Sequence, residues 1–341
     1  LRAVLRDTPE WLQVESVLLV RLRSIGDTVL MTPCLEALKS CRPAIKIAVV
    51  SEPLAAPLLE DHPQVDELFI VKNDLRSRVR LITALRRHRF NVAFNLHGGT
   101  TATLITRLSG APWTIGYQGY RGSNLLRLPA PAPDVLLGKS SIHSVEQQLA
   151  LLNFAGVPMP ESPRLQLAIS EAAERSIRER LCAAQVNAAN GFVVISPAAA
   201  FASKQWAESR FAQIIDRLAD HYQLPSVIIA GRGEEEIASR VASFAHRQPR
   251  LISRLNLKEL AALISLSSLF VGNDSGPMHI AAAFNRPLVA IFGSSNPAVW
   301  QPWTDAPHRV IQAPDSVSAE TRIAKITVAE VAAAIDEVMN E

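Results

Sequence analysis

GNDSGPMHIAAAFNRPLVAIFG, residues 272–293, holds a strand end, a turn, a helix and a second strand in one short run. Leu269, Phe270 and Val271 lead into it, the Ala-rich segment after Pro277 predicts a short helix, and PLVAIFG (287–293) predicts the next strand. Such a unit is the building block of a parallel sheet. Its turn places Asp274, Ser275, Gly276 and His279 around a helix N-terminus, where unpaired backbone N–H groups and the positive dipole end favour a phosphate. Gly272, Gly276 and Pro277 let the backbone turn sharply and a ligand approach closely. The segment predicts an anion pocket suited to a nucleotide diphosphate, without naming what the diphosphate carries.

The same alternation extends along the chain. Apolar runs predict strands at 16–22, 45–51, 67–71 and 91–96, and again at 191–197, 226–231, 268–272 and 287–293. Between them, a turn at Ser24–Asp27 leads into a helix to about Ser40, and further helical patterns fall near 53–61, 75–88, 100–109 and 141–155. A second group lies near 171–186, 208–221, 234–246 and 257–267. Near-continuous apolar strands alternating with helices indicate parallel sheets covered on both faces. The Pro-rich stretch VPMPESPRLQL (157–167) separates the two sets. The fold class is α/β: two Rossmann-like doubly wound parallel-sheet domains, 1–160 and 170–325, facing a central cleft. A final helix at 326–341 has a docking site that the sequence does not give.

Composition bounds the class. At 341 residues, two cores are expected rather than one. An apolar share of 48% with 20% charged residues is that of an ordinary globular protein, and no apolar run reaches transmembrane length. LRAVLRDTPEWLQ (1–13) lacks the charged, apolar and small-residue order of a secretory leader. Cys34, Cys41 and Cys182 form no CxxC pair and read as reduced thiols of a cytoplasmic protein. A net charge of +3 is too small for a nucleic-acid partner.

In open parallel sheets ligands bind at the carboxyl ends of strands. After the first strand comes RLRSIGD (21–27), which has a single glycine and is no dinucleotide fingerprint; no Walker sequence occurs anywhere. Asp27 reads either as a helix cap or as a carboxylate at the cleft floor acting as general base. Pro33 predicts a late helix start or a kink, with the turn projecting toward the cleft.

Three segments carry a family resemblance: RLRSIGDTVLMTPCLEALK (21–39), SPAAAFASKQWAESRFAQI (196–214) and GNDSGPMHIAAAFNRPLVAIFGSSNP (272–297). They resemble the signature regions of the glycosyltransferase family 9 heptosyltransferases. HSVEQQLALLNFAGVP (143–158) is similar to that family's inter-domain helix. The resemblance implies a GT-B fold and inverting, metal-free transfer of a heptose from ADP-heptose to the inner core of lipopolysaccharide, with no cofactor. It also implies a cytoplasmic enzyme peripheral to the inner membrane.

Carried over by residue, Asp27 matches the proposed general base, and Lys204 matches the lysine that stabilises the leaving diphosphate. The family's Trp-Pro pair reads Trp206-Ala207 here. Ser275, Gly276 and His279 match the donor pocket, with Asp274 as its turn organiser. AGRGEEEIA (230–238) resembles the loop whose glutamate contacts the nucleoside, with Glu234 favoured over Glu236. For the acceptor, seven Lys or Arg residues lie between positions 72 and 89 against one acid, Asp74. Arg76 and Arg80, one helical turn apart, would meet the phosphates and carboxylates of a core displayed on an anionic bilayer. His97, at the strand end before Gly98 and Gly99, is a further cleft residue and a second choice of catalytic group. Two other readings stand beside this one: transfer from another nucleotide sugar, and a non-catalytic nucleotide-binding protein that recruits partners through its basic helix. A dehydrogenase is disfavoured by the missing glycine fingerprint.

Overall fold

Each of the eight apolar runs forms a strand in the computed structural model, which describes residues 8–314, 317–318 and 321–341. Residues 1–7, the first half of the stretch read for a leader, lie outside the described residues. The chain divides into two units, Leu1–Ala168 and Ile169–Glu341. The first contains β1 (Ser16–Val20), α1 (Ile25–Cys41), β2 (Lys46–Ser51), β3 (Glu67–Ile70), α2 (Leu75–His88) and β4 (Val92–Asn95). It continues with α3 (Gly99–Leu108), β5 (Trp113–Tyr117), β6 (Leu128–Ala130), α4 (Pro133–Leu137) and α5 (Ser144–Phe154). The second contains α6 (Glu171–Ala183), β7 (Val193–Ser196), α7 (Glu208–Tyr222), β8 (Ser226–Ala230), α8 (Glu235–Phe244), β9 (Arg250–Ser253) and α9 (Leu257–Ser265). After these come β10 (Leu269–Asn273), α10 (Gly276–Ala283), β11 (Leu288–Phe292), α11 (Pro297–Trp300), β12 (His308–Gln312), α12 (Arg322–Lys325) and α13 (Val328–Asn340).

Both sheets are six-stranded, and their strands pair in parallel. The first runs β3-β2-β1-β4-β5-β6. The second, taken from its β9 edge, runs β9-β8-β7-β10-β11-β12, the same order relative to its own first strand. In each unit the direction of winding reverses once, between β1 and β4 and between β7 and β10. Ligands of doubly wound sheets bind at that reversal, outside the carboxyl ends of the strands. Val20 lies opposite Asn95 at one such point and Ser196 opposite Gly272 at the other.

Each unit has its own core. Leu18, Val20, Ala48, Val50, Leu81, Leu85, Ala93 and Ile105 pack within the first. In the second, Ile195, Trp206, Phe211, Ile215, Val271 and Ile291 pack with Val331, Ile335 and Val338 of α13. That placement gives the final helix a docking site on its own unit, reinforced where Arg217 meets Asp336 at 2.6 Å and Tyr222 donates to it at 2.7 Å.

Three expectations are corrected. The helix expected near 53–61 is one 3-10 turn, Ala56–Leu58. Pro57 lacks a donor and disfavours the helical region for the residue before it, so no longer helix forms. Helix α1 starts at Ile25 and runs through Pro33, so there is no late start. The Val29 carbonyl, which a residue other than proline at 33 would bond, accepts the Thr32 hydroxyl at 2.8 Å instead. Strands β5, β6, β9 and β12 escaped the sequence reading. The last two are edge strands with little burial, so their residues lack a long apolar run.

Candidate active site

In the first unit the chain leaves β1 through Arg21 and Leu22 and enters α1 with Ser24 as its N-cap. Asp27 occupies the third helical position, and its Oδ2 accepts from the Ser24 backbone N–H at 3.0 Å and from the Ser24 hydroxyl at 3.1 Å. An acid there also suits the helix dipole. Arg21, 6% exposed, donates to the Asp27 Oδ1 and to the Leu96 carbonyl at the end of β4. The carboxylate is therefore both a cap and one half of an ion pair. It has about four lone-pair positions, of which these three bonds take three, leaving one on Oδ1.

His97 follows β4 and stands beside this pair. Burial lowers its pKa, helped by the charges of Arg21 and Arg23 and opposed by Asp27 and by a hydrogen bond to the Arg23 backbone. Its imidazole is accordingly kept neutral at neutral pH. Asn95, fully buried at the end of β4, accepts the N–H groups of His97 (3.1 Å) and Gly98 (2.9 Å) and donates to Thr103 at 3.0 Å. Gly98 has φ +76°, and a Cβ there would lie 3.0 Å from the Tyr120 ring, so only glycine turns the chain at this point. The structure thus groups Arg21, Asp27 and His97 at one reversal point. Arg76 and Arg80 stand apart from it, exposed on α2, which follows the edge strand β3.

The second reversal point holds the donor-pocket residues. Asn273, fully buried at the end of β10, donates to the Pro197 carbonyl at 2.7 Å and accepts the Trp206 N–H at 3.2 Å. One side chain thereby joins both ends of the segment carrying Lys204. Lys204 Nζ lies 2.7 Å from Asp274 Oδ2. Asp274 is 6% exposed, which makes it the organiser of the lysine rather than a group facing ligand. Ser275 is the N-cap of α10 and its hydroxyl donates to the Asn273 carbonyl at 3.1 Å. Pro277 has no N–H and the Met278 N–H bonds the Ser275 carbonyl at 3.2 Å, so the Gly276 N–H is the one left without a side-chain cap. Gly272 lies within β10 rather than in the turn. His279, on the first turn of α10, is buried, as a core histidine would be.

A second clamp holds the lysine segment. Ser294 N–H donates to the Ser203 carbonyl at 3.3 Å, and the two serine hydroxyls lie 2.9 Å apart. At Gly293 an added Cβ would fall 1.9 Å from the Ser203 carbonyl oxygen, so the close approach requires glycine. Ala207, where the family has proline, has φ −60°, the angle a proline ring imposes, so the substitution leaves the backbone path unchanged.

The three glutamates after β8 separate by partner. Glu234 curls back so that Oε2 accepts the Gly231 N–H at 2.8 Å, and Glu235 accepts the Gly233 N–H at 2.8 Å. Glu236 projects into solvent and pairs with Arg240 at 2.8 Å. Glu234 and Glu235 both hold N–H groups of the strand-end turn, and Glu236 does not.

Sequence reading missed Arg21, Asn273 and the pair Gly293 and Ser294. All four lie inside the quoted motifs, but their roles come from partners distant in sequence: Leu96, Pro197 and Ser203.

Two doubly wound parallel sheets of this order, each with polar groups gathered at its reversal point, have the architecture of GT-B proteins. The family model described as glycosyltransferase family 9 (heptosyltransferase) matches residues 78–326. Lipopolysaccharide heptosyltransferase 3 of Escherichia coli is 28% identical over 296 residues, covering 83% of this chain and 85% of that one. The solved glycosyl transferase family 9 structure from Veillonella parvula superposes with a TM-score of 0.85 at 22% identity, covering 96% and 98% of the two chains. E. coli ADP-heptose lps heptosyltransferase II gives a TM-score of 0.80 at 23% identity, covering 95% and 98%. The chain belongs to glycosyltransferase family 9, the heptosyltransferase family.

Proposed function

We propose that this glycosyltransferase moves a heptose from ADP-heptose to the inner core of lipopolysaccharide, by inversion and without a metal. The observation that carries the reading is the Lys204 ammonium fixed beside the N-terminus of α10 by Asp274. A diphosphate seated on the Gly276 N–H, at the positive end of α10 and beside the Ser275 hydroxyl, would have a cation at hand as its charge grows. Glu234, at the end of β8, is the candidate for the ribose hydroxyls. The donor's identity comes from the relatives, whose names carry ADP-heptose and lipopolysaccharide.

In this mechanism Asp27 takes the proton of the acceptor hydroxyl through the open position on Oδ1. The hydroxyl oxygen bonds to the anomeric carbon from one face. The bond from that carbon to the diphosphate breaks on the other, and its electron pair leaves with ADP. Arg21 orients the carboxylate. Neutral His97, beside Asp27, is the second candidate for the base, supported by its lowered pKa. Arg76 and Arg80 would face the anionic surface on which the acceptor is displayed, and the enzyme would work in the cytoplasm at the inner membrane face.

The test is a transfer assay with ADP-heptose and a heptose-deficient core acceptor in the presence of a chelator. NMR of the product then reads the anomeric configuration. Transfer with inverted configuration is expected. Retention, loss of activity on chelation, or transfer only from other nucleotide sugars would each overturn the corresponding part.

A further inference from the structure

The outward face of α2 carries two parallel ridges. Residues four apart stack along a helix, so Leu75, Val79 and Thr83 form one row, which Arg87 continues, and Arg76 and Arg80 form the next. The buried side of the helix is set by Leu81 and Leu85. Leu75 and Val79 are 77% and 58% exposed and lie one helical turn apart, so they form a joined apolar patch rather than single scattered residues. Leu54, 68% exposed, lies in the turn after β2, and the end of β2 pairs with β3, the strand that leads into α2. Exposed aliphatic residues therefore gather at one corner of the sheet.

The arginines do not all serve the same end. Arg78 bonds the Lys72 carbonyl and the Asn73 side chain, and Arg86 bonds the Leu108 carbonyl at 3.0 Å. These two fasten α2 to its surroundings. Arg76, Arg80 and Arg87 make no hydrogen bond or ion pair among the described residues. Helix α2 contains no acid, and Asp74 is occupied as its cap, accepting the Ser77 N–H at 2.8 Å. Arg76 also stands in the first turn, where the helix dipole favours acids instead of bases. Arg87, in the last turn, suits the helix dipole, but neither packing nor helix stability accounts for Arg76 and Arg80 beside two exposed aliphatic side chains.

We propose that this face of α2 docks on an anionic lipid bilayer, with Leu75 and Val79 entering the headgroup layer while Arg76, Arg80 and Arg87 meet lipid phosphates. The inference rests on the proposed action on a membrane-displayed acceptor and names the surface used. A basic helix with an apolar row gains from both burial and surface charge, and neither alone would hold a protein firmly.

The test is co-sedimentation of the full chain with phosphatidylcholine vesicles made with and without phosphatidylglycerol. Binding is expected only with phosphatidylglycerol. Leu75→Ser with Val79→Ser should weaken it about tenfold through lost apolar burial. Replacing the three arginines by glutamine should weaken it about fivefold per charge. The serine pair should retain wild-type melting and wild-type transfer to a delipidated core acceptor. Equal binding to both vesicle types, or unchanged binding by the serine pair, would overturn the proposal. Displacement by millimolar inorganic phosphate with no effect of the serine pair would also overturn it, reducing the arginines to a phosphate site. Failure of transfer to the delipidated acceptor by the wild type would instead count against the functional reading, while the vesicle measurement still judges the surface.

Discussion

Lys204 and Asp274 form a 2.7 Å ion pair that ties the segment after β7 to the turn after β10. The nearly enclosed carboxylate anchors the lysine, and the more exposed ammonium is the end available to a ligand. Lys204→Met should lower kcat by about 10²–10³, the usual cost of losing one donor to a developing negative charge. Steady-state kinetics check this. A change confined to KM would mean that the lysine only binds donor.

Asp27 is bound to Arg21 and to Ser24, so its replacement acts on structure as well as chemistry. Asp27→Asn can keep the Ser24 bonds through its amide oxygen but turns an NH2 donor toward Arg21, and should reduce transfer by about 10²–10⁴ while ADP affinity stays close to wild type. Asp27→Ala should lose the same activity and also about 1–3 kcal/mol of stability, because buried Arg21 is left with one partner fewer. Calorimetry of ADP binding together with denaturant melts separates the two effects.

Gly293→Ala drives a methyl group into the Ser203 carbonyl, backbone that cannot swing aside. The lysine segment must shift, so transfer should fall at least tenfold even though Gly293 itself holds no functional group. A crystal structure of the variant would show a displaced Ser203. Unchanged kcat would mean that the segment tolerates movement.

His97 gives a pH dependence of defined sign. Its folded pKa lies below the ordinary 6.5, so between those two values the unfolded chain binds a proton that the native chain does not. The contribution to stability is complete above 6.5, shrinks as pH falls below it, and stops changing once pH passes the folded pKa. His62 shifts in the same direction, so the difference between wild type and His97→Gln isolates the effect. Thermal melts from pH 5 to pH 8 should show a smaller acid loss in the variant.

Ala207→Pro should stabilise the protein by about 0.4–1 kcal/mol, because φ at Ala207 is already −60° and the unfolded chain loses freedom. A denaturant midpoint that moves the other way would show that Trp206 cannot accept a proline after it.

The parts of the fold legible in sequence were those with a local signal. Helix α2 over Leu75–His88 and the unit from β10 to β11 follow from periodicity and turn chemistry within one short window. The 3-10 turn at Ala56–Leu58 misled because alanines and leucines advertise a helix that Pro57 forbids. Edge strands β9 and β12 were silent because a half-exposed strand does not need an apolar run. At the site, Asp27 and Asp274 could be singled out, but their partners could not all be assigned. Arg21 is close in sequence to Asp27, yet its second bond reaches Leu96, and the Asp274 partner lies seventy residues away. Pairings of that range come from sheet order, which no single window contains.

The anchoring of Trp206 has a consequence for biosynthesis. Its indole donates to the Ile326 carbonyl at 2.9 Å, and Arg210 bonds the carbonyls of Ala324 and Ile326. The segment bearing Lys204 is therefore fastened by residues translated more than a hundred positions later. A nascent chain that has not yet delivered Ile326 from the ribosome holds its lysine unmoored, so donor handling should begin only after that residue emerges.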